Sequence, residues 1–134
     1  VQFTVNPAAG KPIYEQITEQ VRAGIARGQL QPDERLPSVR ELSQMLVVNP
    51  NTIVRAYAEL ENQGMLYTRQ GMGVFVAAIS KPLTKKLRRT RLIDNIDRLL
   101  VEAVHVGCEL DEVVELIQER ARQFEWASTG NPPN

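Results

Sequence analysis

The chain carries one cysteine and one histidine in 134 residues. A lone Cys108 excludes an intrachain disulfide and suits a reducing cytoplasm, the expected location. One histidine leaves little material for acid–base work. No nucleophile–base set and no phosphate-cradling loop stands out, so neither an enzyme nor a cofactor is expected. His105 and Cys108 lie near Glu109 and Asp111, but a structural metal site needs four well-placed ligands, so no metal is expected either. No apolar run approaches the roughly 20 residues of a membrane span. The first residues lack a charged-then-apolar secretion signal, so no membrane partner is expected. Charge of one sign is also missing: 16 basic residues face 16 acidic ones over the chain. Residues 1–80 hold 7 Lys and Arg against 7 Asp and Glu. That balance counts against strong nonspecific attachment to nucleic acid. It does not count against specific binding, where placement matters more than the sum, although a neutral monomer would need two copies to bind tightly.

What is present concentrates between Leu36 and Val76. Ser38 and Glu41 form an S-x-x-E capping box, which satisfies orphan amides at a helix start. Val39, Leu42, Leu46 and Met45 supply an apolar stripe at helical spacing. Asn49 is a good N-cap for a second helix, and Pro50 sits at its first position, where the missing N–H costs nothing. Val48 and Ile53 flank this start as a hydrophobic staple. Only Val47 and Val48 separate the helices, apart from the cap, and so short a connection forces a sharp angle: a helix-turn-helix.

The second helix divides by face. Ile53, Ala56, Tyr57 and Leu60 point inward, while Asn51, Val54, Arg55 and Ala58 recur on another face. Asn pairs with adenine edges, Arg with guanine or phosphate, and Val or Ala with thymine methyls. Thr52 lies in the first turn, where a hydroxyl and backbone amides can hold a phosphate. Gly64 is the C-cap candidate. Met65–Arg69 and Val74–Ala78 read as two strands joined by Gln70, Gly71, Met72 and Gly73, a glycine-tipped hairpin with Arg69 beside it. Helix, turn, helix and hairpin in this order make a winged helix-turn-helix, which places one helix in the major groove of DNA.

These residues resemble a known family. PIYEQI (Pro12–Ile17), LPSVREL (Leu36–Leu42), VNPNT (Val48–Thr52), AYAELE (Ala56–Glu61) and GMGVFV (Gly71–Val76) are similar to the DNA-binding domain of GntR-type bacterial transcription regulators. VNPNT together with PIYEQI resembles the short YtrA-type branch. The resemblance implies DNA contacts from Arg40, from Asn51 and Thr52, and from a wing glycine, Gly71 or Gly73. It also implies control of a neighbouring transporter operon. Two departures stand out. Pro32-Asp33 replaces the family's common Pro-Gly, a turn that Asp tolerates in left-handed backbone. Met72 occupies a wing position where a basic residue is frequent. The candidate DNA-binding residues are Arg35, Ser38, Arg40, Asn49, Asn51, Thr52, Val54, Arg55, Arg69, Gly71 and Gly73.

The remaining chain reads as helical. A first helix from Pro12 to about Arg27 repeats Ile13, Ile17, Val21 and Ile25 every four residues, and Gly28 stops it. Residues 30–36 cross a proline turn and form a small strand beside the wing. Ser80-Lys81-Pro82 is the candidate linker. A helix from Leu83 to Val106 and a second from Leu110 to Trp126 follow, broken at Gly107. Their wide apolar stripes exceed what two helices bury alone. A two-fold dimer is favoured over a hairpin folded back on its own DNA-binding domain. Leu92, Ile96, Leu99, Ala103, Val113 and Ile117 are the candidate interface. Lys81, Lys85, Lys86, Arg88, Arg89 and Arg91 form a basic run that either adds phosphate contacts or is a solvated face. The expected fold class is mainly α with a small β wing. It comprises a winged helix-turn-helix domain over 1–79, a helical dimerisation and effector hairpin over 80–127, and a disordered tail over 128–134. The expected function is a dimeric transcription factor, a repressor, binding double-stranded operator DNA and released by an unidentified small-molecule effector. The alternative is a winged-helix adaptor that binds protein, which has no need of a polar cluster such as Arg40, Asn51 and Thr52.

Overall fold

A computed structural model describes residues 2–78 and 84–126. They fall into two compact units. The first runs to Ala78 and takes in Glu125 and Trp126, and the second holds residues 84–124. The proposed linker, Leu83 and the tail from Ser128 lie outside the described residues.

In the first unit, α1 (Ile13–Ala26), α2 (Val39–Leu46) and α3 (Pro50–Asn62) precede a hairpin of β1 (Leu66–Arg69) and β2 (Gly73–Val76). The core is one cluster. Ile17 and Val21 of α1, Leu42 of α2, and Ile53, Ala56 and Leu60 of α3 are fully buried, with Leu30, Leu36, Leu66 and Val76 closing round them. Each fully buried Leu, Ile or Val side chain contributes about 1.5–3 kcal/mol relative to exposure. Ile13 and Ile25, the outer members of the four-residue repeat in α1, pack at the margin of the same cluster. Met45, expected on the inner stripe of α2, is exposed instead. At a short helix's C-terminal turn only Leu46 reaches the core.

Caps set the helix boundaries. In α2 both halves of the box are made: the Ser38 Oγ accepts from Glu41 N–H at 3.0 Å, and the Glu41 carboxylate accepts from Ser38 N–H at 2.8 Å. The Asn49 Oδ1 accepts from Asn51 N–H at 2.8 Å, with Pro50 at the first helical position. Val48 and Ile53 both pack into the core, as a staple at that start requires. Pro12 is the N-cap of α1, and Arg27 its C-cap.

An extended segment links the turn before α2 to the hairpin. Gln31-Pro32-Asp33-Glu34 is a tight turn closed by Glu34 N–H to the Gln31 carbonyl at 3.0 Å. Asp33 adopts φ 68°, so it takes the left-handed position after Pro32 that a type II turn requires. Its Oδ1 accepts from the Tyr67 hydroxyl at 2.7 Å, tying the turn to β1. Beyond it the expected third strand is reduced to one bridge, Arg35 opposite Phe75. Leu36 N–H donates to the Val74 carbonyl at 2.8 Å and Val76 N–H to the Glu34 carbonyl at 2.9 Å. The N-terminal residues form a strap that no local sequence signal marks. Phe3 is buried in the core, and the Gln20 side chain bonds both backbone groups of Thr4.

The second unit consists of α4 (Lys85–His105) and α5 (Leu110–Ala121). Thr84 caps α4 by accepting from Leu87 N–H at 3.2 Å. Gly107, at φ 84°, makes the break between the helices. The expectation that α5 reaches Trp126 is corrected. After Ala121 the backbone tightens into i→i+3 bonds, and Glu125 N–H donates to the Ala26 carbonyl at 2.7 Å within the first unit. That bond commits an amide the helix would have used. No helix among the described residues is long and apolar enough to cross a membrane.

Val47, between α2 and α3, is a β-branched residue held in left-handed backbone, φ 56° and ψ 52°, and the residue is 88% exposed. Its Cβ therefore carries the full steric cost of that region with no packing return. Val47→Gly is expected to raise the unfolding free energy by about 1 kcal/mol, after the larger chain entropy of glycine offsets part of the relief. Urea denaturation checks this, and a loss of stability would show that the turn is unstrained.

Candidate nucleic-acid interface

The buried strip of α3 determines what its other side presents. With Ile53, Ala56, Tyr57 and Leu60 facing inward, Asn51, Val54, Arg55 and Ala58 are exposed along the opposite face. Tyr57 also ties the helix to the segment before α2: its hydroxyl donates to the Pro37 carbonyl at 2.7 Å. Burial pushes that phenol well above its ordinary range, with Glu41 adding to the effect, so it stays a protonated donor.

The residues expected at the site divide into three groups. Ser38 and Asn49 are occupied as helix caps, so they hold α2 and α3 in place with their side-chain oxygens already engaged. Arg40 lies near the start of α2, and Asn51, Thr52 and Val54 near the start of α3. Arg40 is exposed and forms no ion pair among the described residues, and Asn51 is exposed while Thr52 is half-buried. Arg40 is the second residue of α2 and Asn51 the second of α3, each in the first turn, where the helix dipole is positive. Arg55 is placed differently: its guanidinium lies 3.8 Å from the centre of the Tyr14 ring on α1. That contact was not legible in the sequence, because the two residues are far apart along the chain.

The third group is the wing. β1 and β2 pair antiparallel, Leu66 opposite Val76 through Arg69 opposite Gly73. Gly73 is therefore the first residue of β2, not part of the connecting loop, which is reduced to Gln70, Gly71 and Met72. Tyr67 and Phe75 stack with ring centres 5.6 Å apart, and the Arg69 guanidinium sits over both at about the same distance. This cation–π arrangement stiffens the base of the wing and holds Arg69 beside the tip. Met72 is exposed at that tip.

Arg35 joins the wing to α2. Its side chain crosses Gly73, so that a Cβ there would lie 2.8 Å from the Arg35 Nε. Its far end reaches within 4.0 Å of the Glu41 carboxylate. Ser38, through its backbone N–H and then its hydroxyl, holds the Glu41 carboxyl below its ordinary range, with Arg35 assisting. The capping box, Arg35 and the wing are thus mechanically linked.

In the second unit, Ala103 and Val113 are 7% and 5% exposed, so the single chain already covers them. Leu92, Ile96, Leu99 and Ile117 remain exposed. The basic side chains from Lys85 to Arg91 are exposed on the first turns of α4. Asp94 and Asp97, further along α4, make no ion pair among the described residues. Cys108 is half-buried, and burial followed by Glu112 raises its thiol pKa.

An N-capped helix with an exposed polar face, set by a second helix and flanked by a glycine-tipped hairpin, defines a winged helix-turn-helix DNA-binding domain. Comparison with known proteins supports the same class. The profile of the bacterial regulatory proteins of the gntR family matches residues 13–76. The HTH-type transcriptional repressor YtrA of Bacillus subtilis (strain 168) is 35% identical over 115 residues, covering 86% of this chain and 88% of that protein. The fold is similar to the crystal structure of a transcriptional antiterminator from Listeria monocytogenes EGD-e, with TM-score 0.75, 32% identity and 98% of each chain covered. It is also similar to AraR(DBD) in complex with operator ORX1, with TM-score 0.51, 34% identity, 56% of this chain and 95% of that one. The chain belongs to the GntR family of bacterial transcription regulators, on the side of the short YtrA-like proteins.

The wing glycines are expected to differ in sensitivity. Gly71 has φ 78° and open space within 4 Å of where a Cβ would stand, whereas Gly73 has φ 127° and its Cβ would meet Arg35. Gly71→Ala is expected to cost about 1 kcal/mol from backbone alone, and Gly73→Ala about 2–3 kcal/mol. Arg35→Ala is expected to recover part of the second loss. Thermal unfolding of the single and double variants checks this; equal costs at both glycines would show that Arg35 yields freely.

Proposed function

We propose that the chain is a dimeric repressor that reads a palindromic operator through α3. The observation that carries this reading is the start of α3, where Asn51 and Val54 are exposed while Ile53, Tyr57 and Leu60 bury the other side of the helix, with Arg40 exposed near the start of α2. In the groove, Asn51 would pair with an adenine edge, Val54 would meet thymine methyls, and Arg40 would pair with a guanine or a phosphate. Ser38 and Asn49 act indirectly by holding the two helix starts, and Arg35, Arg69, Gly71 and Gly73 would set the wing along the backbone or minor groove. That AraR(DBD) was solved on an operator supports the same role for this similar domain.

Dimerisation is supported by the second unit. Leu92, Ile93, Ile96, Leu99 and Leu100 of α4 and Val114 and Ile117 of α5 are all substantially exposed in the single chain. Such a face normally marks an association surface. A two-fold pair would match operator half-sites about one helical turn apart. Occupancy would block polymerase, with a transporter operon as the expected target, and a small molecule that changes the spacing of the two DNA-binding units would release it.

Fluorescence anisotropy with DNA from upstream of the protein's own gene, against random DNA of equal length at fixed near-physiological salt, tests operator reading. Preference for the upstream fragment is expected, and Arg40→Ala is expected to weaken it about tenfold or more without altering the oligomer. Equal feeble binding to both would favour a protein-binding adaptor. For the dimer, Leu99→Glu is expected to halve the mass seen by light scattering; an unchanged mass would move the interface off this face.

A further inference from the structure

We propose that Tyr14, on the first turn of α1, is a positioning residue for DNA binding: it holds the Arg55 guanidinium flat so that its N–H donors meet a backbone phosphate flanking the groove. This rests on the reading of α3 as the groove helix. The guanidinium carbon lies over the ring, 3.8 Å from its centre. Tyr14 is half-buried and packs against the core, so the ring is a fixed platform. Arg55 is exposed, and among the described residues no carboxylate or carbonyl accepts its donors.

Those facts combine in one way. Stacking uses the face of a guanidinium and leaves its five N–H groups free in the plane. An arginine so held has lost most of its rotamer freedom before an acceptor arrives, so less entropy is lost on binding. A planar fork with all donors open matches the bidentate geometry of a phosphate. The position argues against a base edge. Arg55 lies more than a turn beyond the helix start, and its guanidinium is held over the Tyr14 ring of α1. The flank of a groove helix faces the phosphate wall. In a domain with no net charge, a single pre-set cation of this kind carries a large share of the attraction.

The test measures operator affinity against salt for the intact protein and for Tyr14→Phe, Tyr14→Leu, Arg55→Gln and the Tyr14→Leu/Arg55→Gln double variant. Arg55→Gln is expected to weaken binding evenly across base substitutions in the operator. It is also expected to lower the log–log salt slope by about one per DNA-binding unit. Tyr14→Phe keeps the ring and is expected to bind as the parent does. Tyr14→Leu is expected to lose about threefold or more, a range set by cation–π strength, and to lose nothing further once Arg55 is Gln. Losses that add in the double variant would overturn the proposal even with operator reading intact. So would an Arg55→Gln effect confined to one base position. Failure of the parent protein to prefer the upstream fragment would overturn both the groove reading and this one.

Discussion

Ile53, Ala56 and Leu60 are fully buried against Ile17 and Val21 from α1 and Leu42 from α2, and the angular setting of α3 about its own axis follows from that burial. Each residue advances the helix by about 100°, so burying three positions on one side leaves no freedom in what the other side displays. Rotating α3 by one residue would expose several of these side chains at about 1.5–3 kcal/mol each, more than a small domain has to spare. The bond from Tyr57 to the Pro37 carbonyl adds a directional constraint to a non-directional one. The polar start of α3 is presented accurately because the apolar strip beneath it cannot slip.

Backbone conformations of higher energy appear where the chain has to turn between these packed pieces. Asp33 and Val47 are the non-glycine residues with positive φ among the described residues. They sit just before the capping box and just after α2. At Asp33 the side chain compensates by accepting from Tyr67. At Val47 no such compensation exists, and the strain is carried by the burial of Val48 and Ile53 immediately after it. The wing depends on a different close approach, since Arg35 lies across Gly73 and reaches Glu41, which is itself half of the α2 cap. Cap, turn and wing thus form a connected set around α2.

The second unit follows a different balance. Its two helices bury Ala103 and Val113 and leave a long series of Leu, Ile and Val side chains in contact with solvent. Helices are stabilised in proteins mainly by packing of their apolar face rather than by propensity. In the single chain, most of that face lies uncovered.

The sequence by itself determined the elements and their order. Ser38 with Glu41 and Asn49 with Pro50 are local signals, complete within four residues, so the starts of α2 and α3 could be read directly. The inward set of α3 was equally legible, because apolar periodicity is a property of neighbours along one helix. The tolerance of Asp33 for a left-handed turn was legible too. What only the tertiary structure decided are the contacts between residues distant in the chain: Arg55 on Tyr14, Asp33 with Tyr67, Arg35 over Gly73, and Phe3 in the core. Ala103 and Val113 belong here as well, since periodicity marks them as apolar without saying which surface covers them. The physical reason is that caps and amphipathic stripes are set by short-range geometry. Which cation stacks on which ring depends on how two helices cross, and that crossing emerges only when the whole core closes.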